Sequence, residues 1–288
     1  MSKIIHGDLK FVLAQDDKQY KMCFADPPDN INLQYLGYKD RLPTAKYVAL
    51  LQEWLDLCIQ RAEIVWWSFN AIWTPEMGRI TETLLEKYKD LSFKPCQQFY
   101  TFGQDNQYDL KTCHRPIYRY KRVGAQLYPD AIRVPSWRLR NGDKRANPAG
   151  CVPADVFDLE FEDAAREICE QQGGAKKSPL AYDQIITILK THFAGNSDVF
   201  FETRVVGNNE QKRDWVKTQL NESLVERAVK MAIDPLEGEE ALDAFSGSGT
   251  MQRVCRRLGV ECTSIEVCGD SCRYIAQENN LEIEEFEL

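Results

Sequence analysis

The sequence predicts an α/β fold, a mostly parallel sheet with helices packed on its faces. Three observations predict it. Short apolar runs alternate with helically spaced apolar residues over the first 125 positions. The same alternation returns from Asn221. At two places an apolar run stops at a turn made of prolines or of glycines. The 288 residues suffice for one large domain or two modest ones with a proper core.

In chain order, residues 1–10 read as a short strand and turn, followed by the amphipathic FVLAQ. Tyr20–Ala25 (YKMCFA) is a compact apolar strand that ends at Asp26-Pro27-Pro28, because proline has no N–H to give a ladder. Residues 29–43 are polar and loop-like, with Tyr35, Gly37 and Tyr38. Over 44–61, Tyr47, Leu50, Leu51, Trp54, Leu55 and Cys58 recur at helical spacing, and Thr44 is the expected N-cap. A strand follows at 63–69, a helix at 74–89, and strands at 93–102 and 116–122. Prolines, glycines and arginines then break the alternation over 125–165, and 166–198 reads as mostly helical around GGAKKSP. The last part predicts a helix at 221–233, strand 240–244, helix 250–258, strand 261–267 and helix 269–279. A glutamate-rich tail after Asn280 is expected to be a solvated end, and no internal repeat is present.

Composition narrows the function classes. No apolar run approaches the roughly 18 residues that span a bilayer, and the first ten residues lack the apolar core of a signal peptide. A cytoplasmic protein is expected. Ten cysteines occur without a C-x-x-C pair and the three histidines lie far apart, so reduced thiols are expected and no metal site. The 44 acidic against 36 basic side chains give a net charge of −8, which at first sight argues against a nucleic-acid partner.

The distribution of that charge argues the other way. Residues 111–145 hold ten Lys/Arg against two Asp, a net +8 in 35 residues, leaving 26 basic against 42 acidic side chains, or −16, elsewhere. Tyr118, Tyr120, Tyr128 and Trp137 are interleaved with these charges, placing stacking surfaces beside phosphate ligands. A solvated basic loop is the plainer alternative. If this stretch meets nucleic acid, binding should be strongly salt-sensitive.

Two motifs carry chemistry. In residues 241–250, ALDAFSGSGT, a strand runs through Asp243 and Phe245 into Gly247 and Gly249 and opens a helix at Thr250. Glycines there let a ligand approach the backbone at the carboxyl end of a strand. Glu266 follows near the end of the next strand, where an acid can accept both hydroxyls of a ribose. Met251 and Gln252 interrupt the full dinucleotide spacing, so adenosyl-methionine is the better candidate. The second motif, residues 24–30 (FADPPDN), puts Asp26 and the Pro27 carbonyl at a strand end. Two such acceptors can grip the two protons of an exocyclic amine and offset the positive charge that grows on its nitrogen. Lys94-Pro95-Cys96 mimics the nucleophile turn of cytosine-C5 methyltransferases, but no partner motif accompanies it, and Cys96 reads as core.

Together the two motifs resemble the adenosyl-methionine-dependent amino-methyltransferases of DNA, in which the Asp-Pro-Pro-aromatic turn is catalytic and the F-x-G-x-G turn holds cofactor. Here the catalytic motif precedes the cofactor motif, the order of the permuted β group. The resemblance implies a Rossmann-like, permuted methyltransferase sheet: a catalytic half at 1–124, a target-recognition insertion at 125–215, and a cofactor half at 216–288. It assigns Asp26, Pro27, Pro28 and Asp29 to the catalytic turn. Gly7-Asp8 is similar to the family's G-D segment near the cofactor adenine, and Thr218-Gln219 to an element that contacts the methionine part. With these, Asp243, Phe245, Gly247, Gly249, Thr250 and Glu266 form the implied S-adenosylmethionine site. Residues 114–120 (HRPIYRY) fall where the family has a strand of the base pocket. Tyr35, Arg115, Tyr118 and Tyr120 are therefore expected at the base, and Arg133, Trp137, Arg138, Lys144 and Arg145 at the DNA.

Three departures stand out. Asp29 replaces the Tyr, Phe or Trp that stacks on the flipped base, an interaction worth roughly 1–3 kcal/mol. Leu220-Asn221 replaces Lys-Pro, and Ala244 replaces a proline. The expectation is thus an enzyme that binds duplex DNA, flips a base and methylates adenine N6, because Asp rather than Ser opens the motif. Cytosine N4 is the nearest alternative. An RNA or protein-amide methyltransferase, or a degenerate DNA-binding relative suggested by Asp29, are the others. By resemblance, a homodimer, a nucleoid-associated bacterial or phage setting and a restriction-modification role would follow.

Overall fold

A computed structural model describes residues 1–15, 17–33, 35, 38–99, 108, 112, 114–133, 136, 139, 142–152, 199–201, 210–216 and 218–286. In chain order its elements are β1 (Lys3–His6), α1 (Leu9–Gln15), β2 (Tyr20–Ala25), α2 (Thr44–Arg61), β3 (Ala62–Ser68), α3 (Thr74–Lys87), β4 (Leu91–Phe99) and β5 (His114–Arg122). There follow β6 (Val199–Phe201), α4 (Glu222–Ala232), β7 (Glu240–Asp243), α5 (Thr250–Leu258), β8 (Glu261–Glu266), α6 (Gly269–Asn279) and β9 (Ile283–Glu285). The nine described strands form one sheet in the order β6-β4-β5-β3-β2-β7-β8-β1-β9. β5 runs against both β3 and β4; every other neighbouring pair is parallel.

Burial on both faces explains the near-continuous apolar runs of the central strands. Along β2, Met22 and Phe24 enter the cluster beneath α4 and α5, while Cys23 and Ala25 enter the cluster beneath α1, α2 and α3. Helix α2 buries Tyr47, Leu51, Trp54, Leu55, Cys58 and Ile59 on one side, each such side chain contributing roughly 1.5–3 kcal/mol. α4 begins one residue later than expected because the Asn221 side chain caps it, accepting from Ser223 N–H at 3.0 Å.

Two local expectations need correction. The N-cap of α2 is Pro43, in extended backbone, so Thr44 is the first helical residue. The tail after Asn280 is not wholly free: β9 adds to the sheet edge beside β1, where Lys3 pairs with Glu284 and His6 with Glu285. Charged side chains there blunt an edge that could otherwise template another strand. β6 lies within the expected insertion yet pairs with β4 in the main sheet. At the start of that same stretch, Tyr128 N–H donates to the Met231 carbonyl at 2.8 Å, anchoring it to the body. The helical reading of 166–198 and the end of the strand expected at 93–102 lie outside the described residues.

The sheet order creates the site. β2 and β7 are neighbours, with Phe24 opposite Asp243, although the residues are more than 200 positions apart. The chain leaves β2 through α2 toward β3 on one side and leaves β7 through α5 toward β8 on the other. Diverging connections open a crevice at the carboxyl ends of two adjacent parallel strands, the usual place for a ligand in such sheets.

Candidate active site

The glycine turn leaves β7 at Asp243 and passes Ala244, whose N–H donates to the Phe24 carbonyl at 3.1 Å. Phe245 anchors the turn by edge contacts with Trp54 (5.2 Å) and Trp67 (6.2 Å). Gly247 (φ 48°) and Gly249 (φ 73°) take left-handed backbone, and Gly249 caps α5. Glu266, at the end of β8, accepts from Gly247 N–H (2.8 Å) and Cys268 N–H (2.9 Å), so it fixes the turn while keeping further lone pairs for a ligand. Thr250 is buried and shares a hydrogen bond with the Ser248 hydroxyl at 2.8 Å. On the far side Gly7 N–H donates to the Glu266 carbonyl, and the Asp8 carboxylate accepts from Lys10 N–H at the start of α1.

The proline turn is held by its carbonyls. Tyr47 donates to Pro28 O at 2.6 Å and Trp73 Nε1 to Asp29 O at 2.7 Å, leaving no described donor on the Pro27 carbonyl. Beyond it, Asn30 and Asn32 adopt positive φ, and the buried Asp40 carboxylate gathers the N–H groups of Asn30, Ile31 and Leu33. Asp26 faces inward and meets Arg115 Nη2 at 2.5 Å.

Both turns line one cavity of about 310 Å³. One half carries the carboxyl groups of Asp8, Asp243 and Glu266; the other carries Asp26, Asp29 and Arg115. Burial, with the Glu266 charge adding to it, pushes the Asp243 carboxyl up to about 7. Burial also raises Glu266 against the N–H groups of Cys268 and Gly247. Burial raises Asp26 too, with the Arg115 guanidinium opposing it. The acidic half would repel a pyrophosphate and favour a ligand with hydroxyls and positive charge. Three polar groups on the cavity wall have no hydrogen-bond partner among the described residues: Gln98 Oε1, the Tyr38 hydroxyl and Trp215 Nε1. Orphans of this kind cost about 1–3 kcal/mol each unless a ligand or water pairs them. The cavity therefore has the chemistry of an adenosyl-methionine site, an acid for ribose hydroxyls and unpaired polar groups awaiting a ligand.

Most residues singled out in the sequence converge here. Asp8, Asp26, Pro27, Pro28, Asp29, Tyr35, Arg115, Thr218, Gln219, Asp243, Phe245, Gly247, Thr250 and Glu266 all line the cavity. Tyr35 lies against the Thr218 side chain, bringing the loop after β2 beside the segment before α4. Gln219 is tied back to its own segment, accepting from Arg213 N–H and donating to Gln211 O. Tyr118 and Tyr120 do not reach the cavity. Alternation along β5 turns Arg115 and Ile117 to one face and these two rings to the other. There Tyr118 packs between Phe69 and Phe93, and the fully buried Tyr120 hydrogen-bonds Thr81. Arg133 binds Asp130 and the Gly150 carbonyl, Arg145 pairs with Asp143, and Lys144 is exposed; Trp137 and Arg138 lie outside the described residues. Cys96 is buried in the core, as its place in an apolar strand led us to expect.

Sequence reasoning missed Ser68, Gln98 and Trp215. Ser68 ends a strand whose other buried residues are apolar, and it accepts from Arg115 Nε at 2.7 Å. Gln98 is 3% exposed and, by the period of β4, shares a face with Cys96. A polar residue at a buried strand position was the signal. Trp215 stacks on Tyr274 at 4.9 Å, a contact between distant segments that left no local trace.

Comparison with known proteins agrees with this geometry. The model of a family described as "DNA methylase" matches residues 20–278. The solved structure of M1.HpyAVI with SAM is 14% identical, at a TM-score of 0.53, covering 96% of this chain and 100% of its own. TTHA0409 of Thermus thermophilus, a putative DNA modification methylase solved with S-adenosyl-L-methionine, is 12% identical at a TM-score of 0.55 over 100% of both chains. PvuII DNA methyltransferase, cytosine-N4-specific, is 10% identical at 0.54, over 98% of this chain and 89% of its own. No curated protein sequence matches.

Proposed function

Because the chain belongs to the DNA methylase family, we propose that it is a site-specific methyltransferase acting on the N6 amine of a flipped adenine. Methyl transfer to DNA with S-adenosylmethionine is the chemistry of that family. The observation that carries the proposal is the meeting of the proline and glycine turns, at the ends of adjacent strands, in one cavity.

The residues divide the work. In this reading Glu266 would accept the ribose hydroxyls, Asp8 would face the adenine, and Asp243 with Thr218 and Gln219 would meet the amino-acid part. When bound, the cofactor supplies an electrophilic methyl group on sulfur. Asp26 and the Pro27 carbonyl accept the two amine protons of the target base, aim the nitrogen lone pair, and offset the charge that develops on it. The rigid proline turn keeps both acceptors in place without reorganisation.

One feature supports adenine: Asp, rather than Ser, opens the catalytic motif. Likeness to a cytosine-N4-specific enzyme favours the second reading, in which the same acceptors grip a cytosine amine.

Transfer of tritiated methyl from S-adenosylmethionine to duplex DNA, RNA and protein tests the reading. Label should enter DNA. Asp26→Ala should reduce transfer by about 10²–10³-fold, with cofactor affinity within a few-fold of the parent. Label entering only RNA or protein would overturn it.

A further inference from the structure

Asp29 stands where the family resemblance leads one to expect a stacking ring, and it is 6% exposed. A buried carboxylate is expensive unless it is paired, and this one is paired as a fork. Arg115 Nη1 meets Oδ2 and Nη2 meets Oδ1, each at 3.0 Å. The same Nη2 reaches Asp26 at 2.5 Å, and Nε donates to Ser68 at 2.7 Å. Asp29 is itself fixed: Trp73 holds its carbonyl and Asn70 Nδ2 lies 3.4 Å from Oδ2. One guanidinium is thereby clamped between two carboxylates, with a quarter of the Asp26 side chain still open to the cavity.

We propose that Asp29 is a positioning residue: it fixes the plane of Arg115, and from that plane the guanidinium holds the Asp26 carboxylate toward the amine. A forked carboxylate orients a guanidinium as no aromatic ring could. The position has exchanged a stacking contact for an electrostatic one. This rests on the reading that Asp26 grips the amine.

The groups facing Asp26 set the signs. Burial and the Asp29 charge favour its protonated form; Arg115 from β5 and the Ser68 hydroxyl from β3 favour the ionised one. The Tyr35 phenol faces the same carboxylates from the loop beyond. Removing Arg115 alone leaves two carboxylates facing each other, so Asp26 should hold its proton to higher pH. Removing the Asp29 charge as well should reverse part of that rise. A ring at position 29 would release the guanidinium.

The test titrates the Asp26 carboxyl by NMR of carbon-13-labelled aspartate in the full chain, beside the pH profile of methyl transfer. In Arg115→Gln the midpoint should rise by about one pH unit or more, a tenfold change, and the acid limb of kcat should move with it. In the double variant Asp29→Asn with Arg115→Gln the midpoint should return toward the parent. Asp29→Tyr should lower kcat by about tenfold with KM for DNA little changed. Arg115→Lys, which keeps the charge without the fork, should shift the midpoint the same way but less, and serves if Arg115→Gln does not fold. An Asp26 midpoint indifferent to Arg115, or an Asp29→Tyr enzyme as fast as the parent, would overturn the proposal. The titration needs no turnover, so a parent inactive on DNA would sink the functional reading and leave this one to the midpoints.

Discussion

Gly249 shows how much one residue can carry. Its φ of 73° disfavours any side chain, and a Cβ there would lie 3.0 Å from Ile275 of α6. Gly247 has φ 48° but open space around it, the nearest atom being 4.0 Å away. Gly249→Ala should therefore destabilise the fold by about 2–4 kcal/mol and Gly247→Ala by about 1–2, read from chemical unfolding. Equal losses would show that backbone strain alone governs the turn. The glycines were legible because their motif is local. Asp29 was legible only as a departure, since its partner Arg115 lies 86 residues away and no spacing rule joins them. Tyr118 and Tyr120 were misplaced because the sequence of β5 shows alternation without saying which face meets the cavity.

At the scale of elements, β7 ends in a buried acid whose proton balance reaches the whole fold. Asp243 titrates at about 7 in the folded chain against about 4 unfolded, so the folded state binds the extra proton between those values. Its contribution to stability is complete below the unfolded value and is lost as pH rises through about 7. Stability of the cofactor-free chain should fall between about pH 5 and about pH 8, and Asp243→Asn should flatten that fall. Denaturant midpoints at the two pH values check it; an unchanged slope in the variant would remove Asp243 as the cause. Helices α2, α5 and α6 were readable because each repeats its apolar period, and β2 and β3 because each is a near-continuous apolar run. β6 and β9, three residues each, are too short to show a period and exist because neighbouring strand edges offer hydrogen bonds. The reversal of β5 left no mark, since alternation is the same in either direction.

Across the whole molecule, the fold brings the two ends of the chain to a single crevice, and function follows from that topology. The net charge of −8 hides a +8 stretch, but the structure reassigns part of that stretch. Arg115 pairs with Asp26 and Asp29 and Arg122 with Asp90, acids outside the stretch, while Arg133 and Arg145 pair with Asp130 and Asp143, which the +8 already subtracts. Fewer cations therefore remain for phosphates than the count implies. Among the described residues no helix is long and apolar enough to cross a membrane, and no cluster of His, Cys, Asp and Glu could hold a metal ion. The proposed activity is methylation of the exocyclic amine of a flipped adenine in DNA. Sequencing of modified bases in DNA from cells expressing the protein tests it most directly, with cells expressing Asp26→Ala as control. N6-methyladenine should appear at one short recurring sequence and be absent from the control. N4-methylcytosine in its place would contradict the adenine assignment, and DNA identical to the control would contradict the enzyme.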